Sequence, residues 1–433
     1  MKILHFLGIG RLPRQPMVEA TGGTERVTLE VARIQVRRGH DVTIAARDDK
    51  AWQGTWEGVK LVRLQPYSLS RFRFGRHLRL THLIRSGRFD LVHLHEYVRT
   101  SYFSTFPTVM QFHNNPLDGP DHAEFVREAP AFWARVGKSR AQIAVSNFVK
   151  GRLQLAHQEA GPNALPANII TNYSGVNSKG LAPEVAMAER KRIRQQLGLK
   201  ETDVLFLFSG AIRPEKGVDY LARVFARLSE ENVGARLAMA GGSRLWIESG
   251  WLGDNPLETT EREVRNILAP AIERRQAFML GIVSPIDIGA YYAAADVLVL
   301  PSMFQETFGL VLLEAFSAAL PVIAFRSGGI PELVDHQRNG HLVDQGDEAA
   351  LLRSMREMMV SKDLRERLGA EGRKTATQFS WNSTADRLDA IYRTVLTGKR
   401  FPPERRPDQL PRQRTSHIQR NQETLEDANL KAS

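Results

Sequence analysis

Short apolar runs alternate with longer, helix-like stretches through the first part of the chain. Each run has the length and composition of a buried strand, and the stretch after it has the spacing of an amphipathic helix. The predicted strands are Lys2–Leu7, Asp41–Ala46, FDLVHLH at 89–95 and PTVMQFH at 107–113. Strands that alternate with helices in this way favour a parallel sheet with helices packed on both faces.

A second series of the same kind follows a connection that breaks the pattern at Gly175, Gly180 and Pro183. Its predicted strands are DVLFLFSGAI at 203–212, ARLAMAGG at 235–242, AFMLGIV at 277–283, DVLVLPS at 296–302, PVIAFRSGG at 321–329 and GHLV at 340–343. We therefore predict two doubly wound α/β domains, at 1–178 and 179–380. An amphipathic helix at 381–397 follows, and then a tail at 398–433 that is rich in Pro, Arg and Gln and is expected to be disordered.

One predicted helix carries a carboxylate among apolar neighbours. The stretch ETFGLVLLEAF, residues 306–316, follows a buried strand, and parallel sheets bind ligands at the carboxyl ends of their strands. The first helical turn is predicted to comprise Thr307, Phe308, Gly309 and Leu310, whose free N–H groups can bind phosphate. Because a lone buried carboxylate is costly, Glu314 needs partners. Either an arginine elsewhere pairs with it, or a ligand with paired hydroxyls, such as a ribose, donates to it.

Two other loops carry candidate ligand-binding residues. Arg213 and Lys216 lie in SGAIRPEKGVDYL, between a buried strand and a helix. Two cations beside a helix N-terminus suit a diphosphate, although solvated surface charge is the alternative. Gly22 and Gly23 precede the first helix, where they form either a plain turn or a loop that approaches a ligand closely.

The sequence around Glu306 and Glu314 resembles a known family. The segment YYAAADVLVLPSMFQETFGLVLLEAFSAALPVIAFRSGGIPELV is similar over its whole length to retaining glycosyltransferases of family 4, which have the GT-B fold. The branch it resembles includes spore-coat-protein-SA-like and lipopolysaccharide-glycosyltransferase-like proteins. The resemblance covers about residues 1–397. It implies two Rossmann-like domains that face a cleft, and a C-terminal helix that returns to the first domain.

The resemblance implies how the donor nucleotide is held. Arg213, Lys216 and the amides of Thr307, Phe308, Gly309 and Leu310 would bind its diphosphate. The glycine-rich loop with Gly22 and Gly23 would approach the same phosphates. Gly241 and Gly242 would lie beside the nucleotide.

The remaining roles concern the sugars. The resemblance implies that Glu314 binds the ribose, that Glu306 binds hydroxyls of the transferred sugar, and that His113 contacts that sugar near the reacting carbon. Glu306 and His113 are therefore the predicted catalytic residues. No cofactor is expected, and a UDP-sugar is the expected donor substrate.

The implied reaction moves a hexose from a nucleotide diphosphate sugar to a glycan or glycolipid, with retention of configuration, in cell-surface polysaccharide biosynthesis. Two alternatives of similar fold stay open: a non-catalytic coat or assembly protein, and a sugar-nucleotide epimerase. A dinucleotide dehydrogenase is disfavoured because GIGRLP at Gly8 lacks the third glycine of the fingerprint, and Pro13 and Pro16 break the helix that should follow.

Three histidines raise the question of a metal. His93 and His95 alternate on one strand and so share a face, and with His113 they could form a zinc site. The family commonly carries such histidines without metal, and the Asp-x-Asp motif of metal-dependent sugar transferases is absent from the sequence. We expect no metal.

Net charge and cysteine content limit the possible partners, chemistry and location of the protein. The net charge is +11 and cysteine is absent, so disulfides and thiolate chemistry are excluded and an anionic partner is favoured. The basic segment RFRFGRHLRLTHLIRSGRF begins at Arg71. It contains no acidic residue through Arg88 and could bind an anionic membrane surface. The alternative roles of this segment are binding of nucleic acid and a basic surface that is simply solvated. We do not expect nucleic acid as a partner. The N-terminus does not have the pattern of a signal peptide, so we expect a cytoplasmic protein, free or at the inner face of the membrane.

Overall fold

The structure, a computed structural model, describes residues 1–8, 12–16, 18–19, 22–65, 75–96, 106–116, 122–243, 256–399 and 401, with only the backbone described at 75–79, 122–125 and 256–258. In the described ranges, fourteen strands form two sheets. Twelve α-helices accompany them in the same ranges.

The first sheet is almost wholly parallel. Its strands are β1 Lys2–Leu7, β2 Asp41–Arg47, β3 Trp52–Trp56, β4 Val59–Leu64, β5 Leu91–His95, β6 Thr108–Phe112, β7 Ala141–Ala144 and β8 Ile169–Thr171. They are ordered β3-β4-β2-β1-β5-β6-β7-β8, and only the edge strand β3 pairs antiparallel. The order reverses between β1 and β5, so the loops after these two strands diverge and leave a crevice.

The second sheet is parallel throughout its described pairings. Its strands are β9 Val204–Ser209, β10 Ala235–Ala240, β11 Ala277–Gly281, β12 Val297–Leu300, β13 Val322–Phe325 and β14 Gly340–Val343. They are ordered β11-β10-β9-β12-β13-β14, which places the reversal between β9 and β12. The loops that carry Lys216 and Glu306 follow these two strands, so both lie at the reversal.

Helices cover both sheets. They are α1 Gly23–Arg37, α2 Gly75–Gly87, α3 His122–Val136, α4 Asn147–Glu159, α5 Pro183–Gln196, α6 Val218–Glu231, α7 Pro256–Glu273, α8 Ile288–Ala294, α9 Leu310–Ser317, α10 Glu348–Val360, α11 Lys362–Thr377 and α12 Trp381–Thr397. Apolar side chains from strands and helices, such as Phe206 and Phe225, are fully buried between the layers.

The last helix, α12, returns to the first domain and packs against α1. Arg38 donates to the carboxylate of Asp389 at 2.9 Å, and His93 on β5 lies 2.6 Å from the Tyr392 hydroxyl. Tyr392 is completely buried. The predicted fold class, two doubly wound parallel-sheet domains with a returning C-terminal helix, is confirmed.

Several local predictions need correction. The helix expected to begin at Thr307 begins at Leu310, with Gly309 at its N-cap, and it ends at Ser317. The reason is that Gly309 has φ +92°, a left-handed conformation outside the helical range. The sequence also predicts a helix near Pro331, but the chain forms only a single 3₁₀ turn there, Ile330–Glu332.

Two sequence predictions fall on undescribed residues. Of the basic segment Arg71–Arg88, residues 71–74 lie outside the described residues and the side chains of Arg76 and Arg79 are not described. The disorder expected of the tail also lies outside them, apart from Gly398, Lys399 and Phe401.

Candidate functional site

An ion pair joins the two loops at the reversal of the second sheet. Lys216 lies after β9, and its Nζ is 2.8 Å from Oε1 of Glu306, which follows β12. The same oxygen accepts a hydrogen bond from the Ser302 hydroxyl at 2.6 Å. Glu306 is 7% exposed, so these donors stabilise a carboxylate that is nearly removed from water.

The loop that carries Lys216 depends on a glycine. Gly217 has φ +63°, and a Cβ at this position would lie 1.8 Å from the carbonyl oxygen of Pro301. Only glycine permits the end of β12 to approach the start of α6 this closely. Arg213, in the same loop, contacts Glu215 at 2.9 Å and therefore points along the loop in this state.

The N-terminal turn of α9 faces the first domain. A Cβ on Gly23 would lie 3.6 Å from the Leu310 side chain, and the Thr307 hydroxyl donates to the His113 carbonyl at 2.6 Å. The structure thus brings together Gly23, His113, Thr307 and Leu310 between the domains. Gly22 lies at the N-cap of α1, where a Cβ would meet the Glu25 carboxylate at 2.6 Å.

Within the described ranges, Glu314 has two side-chain partners, and one comes from the other domain. Its Oε1 lies 2.7 Å from Nη1 of Arg26 on α1, and its Oε2 accepts from the Tyr292 hydroxyl on α8 at 2.8 Å. The arginine that the sequence analysis left as one alternative is therefore present. The ribose alternative is not thereby removed, because each carboxylate oxygen can accept more than one hydrogen bond.

A chain of buried imidazoles leads to His113. Nδ1 of His5 lies 3.0 Å from Nε2 of His95, and Nδ1 of His95 lies 2.9 Å from Nε2 of His113. At its far end, Nε2 of His5 lies 2.8 Å from Oε1 of Gln35. Since this oxygen can only accept, it fixes the tautomer of each ring in turn, and Nε2 of His113 carries the proton.

Burial keeps these rings uncharged near neutral pH. It lowers the pKa of His5 to about 4, which the hydrogen bond to Gln35 partly offsets, and it lowers the pKa of His113 to about 3. The pKa values of His93 and His95 also fall well below the usual value, first through burial and then through neighbouring imidazoles. His113 is therefore a neutral hydrogen-bonding group and not a cation.

The histidine cluster is a poor metal site in this arrangement. Nitrogen atoms of His5, His93 and His95 lie within 4.8 Å of one another. However, the rings of His93 and His95 are stacked, with centroids 4.2 Å apart and planes 22° apart. Ring lone pairs lie in the ring plane, so two stacked rings do not direct them at one ion.

A cavity lies at the carboxyl ends of β10 and β11. It has a volume of about 480 Å³ and is lined by residues that include Gly242, Gly281, Ile282 and Arg265. Gly241 has φ +150°, and a Cβ there would lie 1.7 Å from the Gly210 carbonyl oxygen. Gly242 and Gly281 therefore line the cavity, and Gly241 lets the end of β10 approach the loop after β9, its neighbour in the sheet.

The sequence analysis missed two buried carboxylates, Glu96 and Glu332. Glu96 accepts from the backbone N–H groups of His113 and Asn114, at 2.5 and 2.7 Å. Burial raises the pKa of Glu96 to about 7, and these backbone bonds oppose the rise. Its position after the strand FDLVHLH was the available signal, because carboxyl ends of parallel strands carry such groups.

The second missed carboxylate joins the domains. Glu332 accepts from the N–H groups of Asn147 and Phe148, at the start of α4, and from the Tyr173 hydroxyl. Burial raises the pKa of Glu332, and the same backbone bonds oppose the shift. No local sequence pattern connects Glu332 with α4, since they are separated by well over a hundred residues.

Family models match both halves of the chain. Residues 189–375 match "Glycosyl transferases group 1", and residues 21–162 match "Glycosyltransferase Family 4". Among curated relatives, a D-inositol 3-phosphate glycosyltransferase of Corynebacterium efficiens is 31% identical over 422 residues, covering 89% of this chain and 93% of that protein. Spore coat protein SA of Bacillus subtilis is 25% identical over 395 residues, covering 87% of this chain and 96% of that protein.

Solved structures of similar fold include two that bear on the arrangement. HepE from Anabaena, in complex with UDP-glucose, superposes with a TM-score of 0.69 at 18% identity and covers 91% of this chain and 100% of its own. WaaG, a glycosyltransferase involved in lipopolysaccharide biosynthesis, superposes with a TM-score of 0.66 at 19% identity. The match covers 90% of this chain and 99% of the WaaG chain. The predicted GT-B fold is confirmed by these neighbours.

Proposed function

Because the chain belongs to the group 1 glycosyl transferases, we propose that it moves a hexose from a UDP-sugar to a glycan or glycolipid acceptor, with retention of anomeric configuration. The observation that carries the proposal is the Lys216–Glu306 ion pair at the reversal of the second sheet. It places a cation and a carboxylate where doubly wound sheets bind nucleotides.

The donor would lie across the edge of the second sheet. Lys216 and Arg213 would bind the diphosphate, together with the N–H groups at Thr307–Leu310. Binding requires Arg213 to leave Glu215, and Lys216 to share its ammonium between Glu306 and a phosphate oxygen. The base would occupy the cavity beside Gly242 and Gly281, with Gly241 allowing the close approach, and the ribose would reach Glu314.

The reacting sugar would lie between the domains. Glu306 would accept hydrogen bonds from its hydroxyls, and neutral His113 would contact it near the anomeric carbon. The bond between that carbon and the phosphate oxygen breaks while the acceptor oxygen bonds to the same face. The departing phosphate takes the acceptor proton, and Lys216 and Arg213 stabilise its negative charge. Closure of the domains would exclude water and so limit hydrolysis.

The acceptor would bind mainly to the first domain. We propose a cell-surface glycan or glycolipid, since WaaG acts in lipopolysaccharide biosynthesis and this chain carries a net charge of +11. In the described part of the chain, the structure contains no helix with the length and hydropathy needed to span a bilayer. Recruitment through Arg71–Arg88 would be electrostatic, and equal sedimentation with neutral and anionic liposomes would contradict it.

Calorimetric titration tests the donor site. UDP, GDP, ADP and NAD are each titrated into the wild-type protein. We expect UDP to bind and the other three not to bind. Glu314→Gln should weaken the binding of UDP by about 1–3 kcal/mol, because the ribose hydroxyls lose a charged hydrogen-bond acceptor. Glu230→Gln, an exposed glutamate of the same domain, serves as the matched control.

Product analysis tests the chemistry. With UDP-sugar and a glycolipid extract, NMR of the product should show the donor's anomeric configuration. Conversion of the UDP-sugar without any acceptor would instead favour an epimerase. Absence of binding by all three nucleoside diphosphates would favour a non-catalytic assembly protein.

A further inference from the structure

We propose that Arg26 and Tyr292 are positioning residues for the donor ribose: together they hold the Glu314 carboxylate in the orientation that accepts both ribose hydroxyls. The inference rests on the proposed function, in which Glu314 binds the ribose. It adds two residues, one of which is supplied by the opposite domain.

The geometry leaves room for a diol. Arg26 Nη1 contacts one oxygen of Glu314 at 2.7 Å, and the Tyr292 hydroxyl contacts the other at 2.8 Å. A carboxylate has about four acceptor positions, so each oxygen keeps one for a further donor. The Glu314 side chain is 13% exposed, and two hydroxyls on adjacent ribose carbons match two acceptor positions on one carboxylate.

Both partners remain hydrogen-bond donors to the Glu314 carboxylate. The charge of Glu314 raises the pKa of Arg26, so the guanidinium remains a cation. Burial, followed by the charge of Glu314, raises the pKa of Tyr292 well above its usual value, so the phenol remains a donor. A fixed, charged acceptor forms stronger hydrogen bonds with hydroxyls than a mobile or neutral one.

Arg26 makes the ribose site depend on the approach of the domains. It lies on α1 of the first domain, whereas Glu314 and Tyr292 lie on α9 and α8 of the second. Close by, Gly23 on α1 packs against the Leu310 side chain. Separation of the domains would therefore remove one of the two groups that orient Glu314, and nucleotide binding would be linked to closure.

A comparison of two ligands in variant proteins isolates this role. UDP and 2′,3′-dideoxy-UDP are titrated calorimetrically into wild type, Arg26→Met, Arg26→Lys and Tyr292→Phe. We expect wild type to prefer UDP by about 100-fold, because two hydrogen bonds to a charged group are lost with the dideoxy ligand. In Arg26→Met and in Tyr292→Phe the preference should fall by about tenfold, and Arg26→Lys should restore part of it.

Arg33→Met is the matched control. Arg33 lies on the same helix with nearly the same side-chain exposure, 26% against 27%, and its partners Glu30 and Glu57 are in its own domain. It should retain the wild-type preference. Thermal unfolding of each variant checks that the fold survives, and Arg26→Lys keeps the test usable if Arg26→Met does not fold.

Three outcomes would overturn the inference. An unchanged preference in Arg26→Met and Tyr292→Phe would make both residues merely structural, while the proposed function would stand. Tighter binding of UDP by Arg26→Met would mean that Arg26 competes with the ribose. If wild type binds no nucleoside diphosphate, the proposed function itself fails, and the positioning role fails with it.

Discussion

At the scale of single residues, Glu306 separates nucleotide binding from sugar transfer. Its carboxylate contacts Lys216 and Ser302 and is proposed to bind the transferred sugar, which UDP lacks. We expect Glu306→Gln to lower kcat/KM by about 100-fold, as does removal of one stabilising group in other active sites, and to change UDP affinity little. Transfer assays and calorimetry on the same preparation measure both quantities.

Lys216→Met provides the contrast to this variant. It removes the proposed phosphate contact and also leaves the Glu306 carboxylate, 7% exposed, without its cation. Both UDP affinity and transfer should therefore fall. Equal effects of the two substitutions on UDP binding would contradict the division of roles.

The buried histidines predict a pH dependence of stability. In the unfolded chain a histidine has a pKa near 6.5, whereas burial lowers the pKa of His5 to about 4. Between these values the unfolded state binds more protons, so stability is full above pH 6.5 and is lost as pH falls toward 4. His5 alone accounts for about 2 kcal/mol between pH 7 and pH 5.

Glu96 acts in the opposite direction. Because burial raises its pKa to about 7 from 4.5, the folded state binds more protons between these values, and this carboxyl group favours folding as pH falls. Its contribution to the free energy of unfolding offsets that of about one histidine. His93, His95 and His113 act in the same direction as His5. Urea unfolding should show lower stability at pH 5 than at pH 7, and a smaller difference in His5→Gln. The exposed His82, replaced by Gln, should leave the difference unchanged.

At the scale of secondary structure, the loop between β9 and α6 depends on Gly217. A Cβ at Gly217 would lie 1.8 Å from the Pro301 carbonyl oxygen, so Gly217→Ala must displace either the α6 start or the end of β12. Gly198 has a similar φ, +68° against +63°, but a Cβ there meets nothing within 4 Å. Gly198→Ala should cost about 1 kcal/mol through backbone strain alone.

The difference between these two variants isolates the contact. We expect Gly217→Ala to lower the free energy of unfolding, measured in urea, by several kcal/mol more than Gly198→Ala does. If the loop moves instead, Gly217→Ala should abolish UDP binding. Similar losses in both variants would mean that φ, and not the approach of β12, determines the need for glycine.

The elements that the sequence predicted are those with strong, regular patterns. The buried runs of β9 and β12 are nearly all apolar, the apolar run of β1 is interrupted only by His5, and the bounds agree with the structure to within a few residues. Other strands gave weaker signals: β3, WQGTW, alternates half-buried and exposed residues, and β7, AQIA, contains a glutamine and only one large apolar residue. The start of α9 was misplaced because the left-handed φ of Gly309 is decided by its loop and not by the helical pattern.

Candidate site residues were predictable when they followed a strand. Glu306 and Lys216 both do, and the structure brings them into contact at 2.8 Å. Arg26 was not predictable as a partner of Glu314, because α1 meets α9 only through the approach of two domains. Tyr292 is in the same domain as Glu314, but it lies on another helix, 22 residues earlier in the chain, and no local spacing pairs the two. The chain of imidazoles likewise combines residues of β1, β5 and β6, and no local spacing encodes it.

At the scale of the whole molecule, the two domains meet through polar contacts at helix ends. Glu332 of the second domain accepts from two backbone N–H groups at the start of α4, at 2.9 and 2.7 Å. Those N–H groups have no partner within their own helix, and the N-terminus of a helix attracts negative charge. Glu332 is 8% exposed, so this contact is largely shielded from water.

Glu332→Gln should therefore weaken the contact between the domains. The amide keeps one acceptor oxygen but turns an NH₂ group toward a backbone N–H, which costs about 1–3 kcal/mol. We expect a larger radius of gyration by small-angle X-ray scattering in the absence of nucleotide, and UDP affinity about tenfold lower because Arg26 is withdrawn from Glu314. Tyr173→Phe, which removes one hydroxyl donor to Glu332, should have a smaller effect on both. Identical scattering by Glu332→Gln and wild type would show that other contacts hold the domains together.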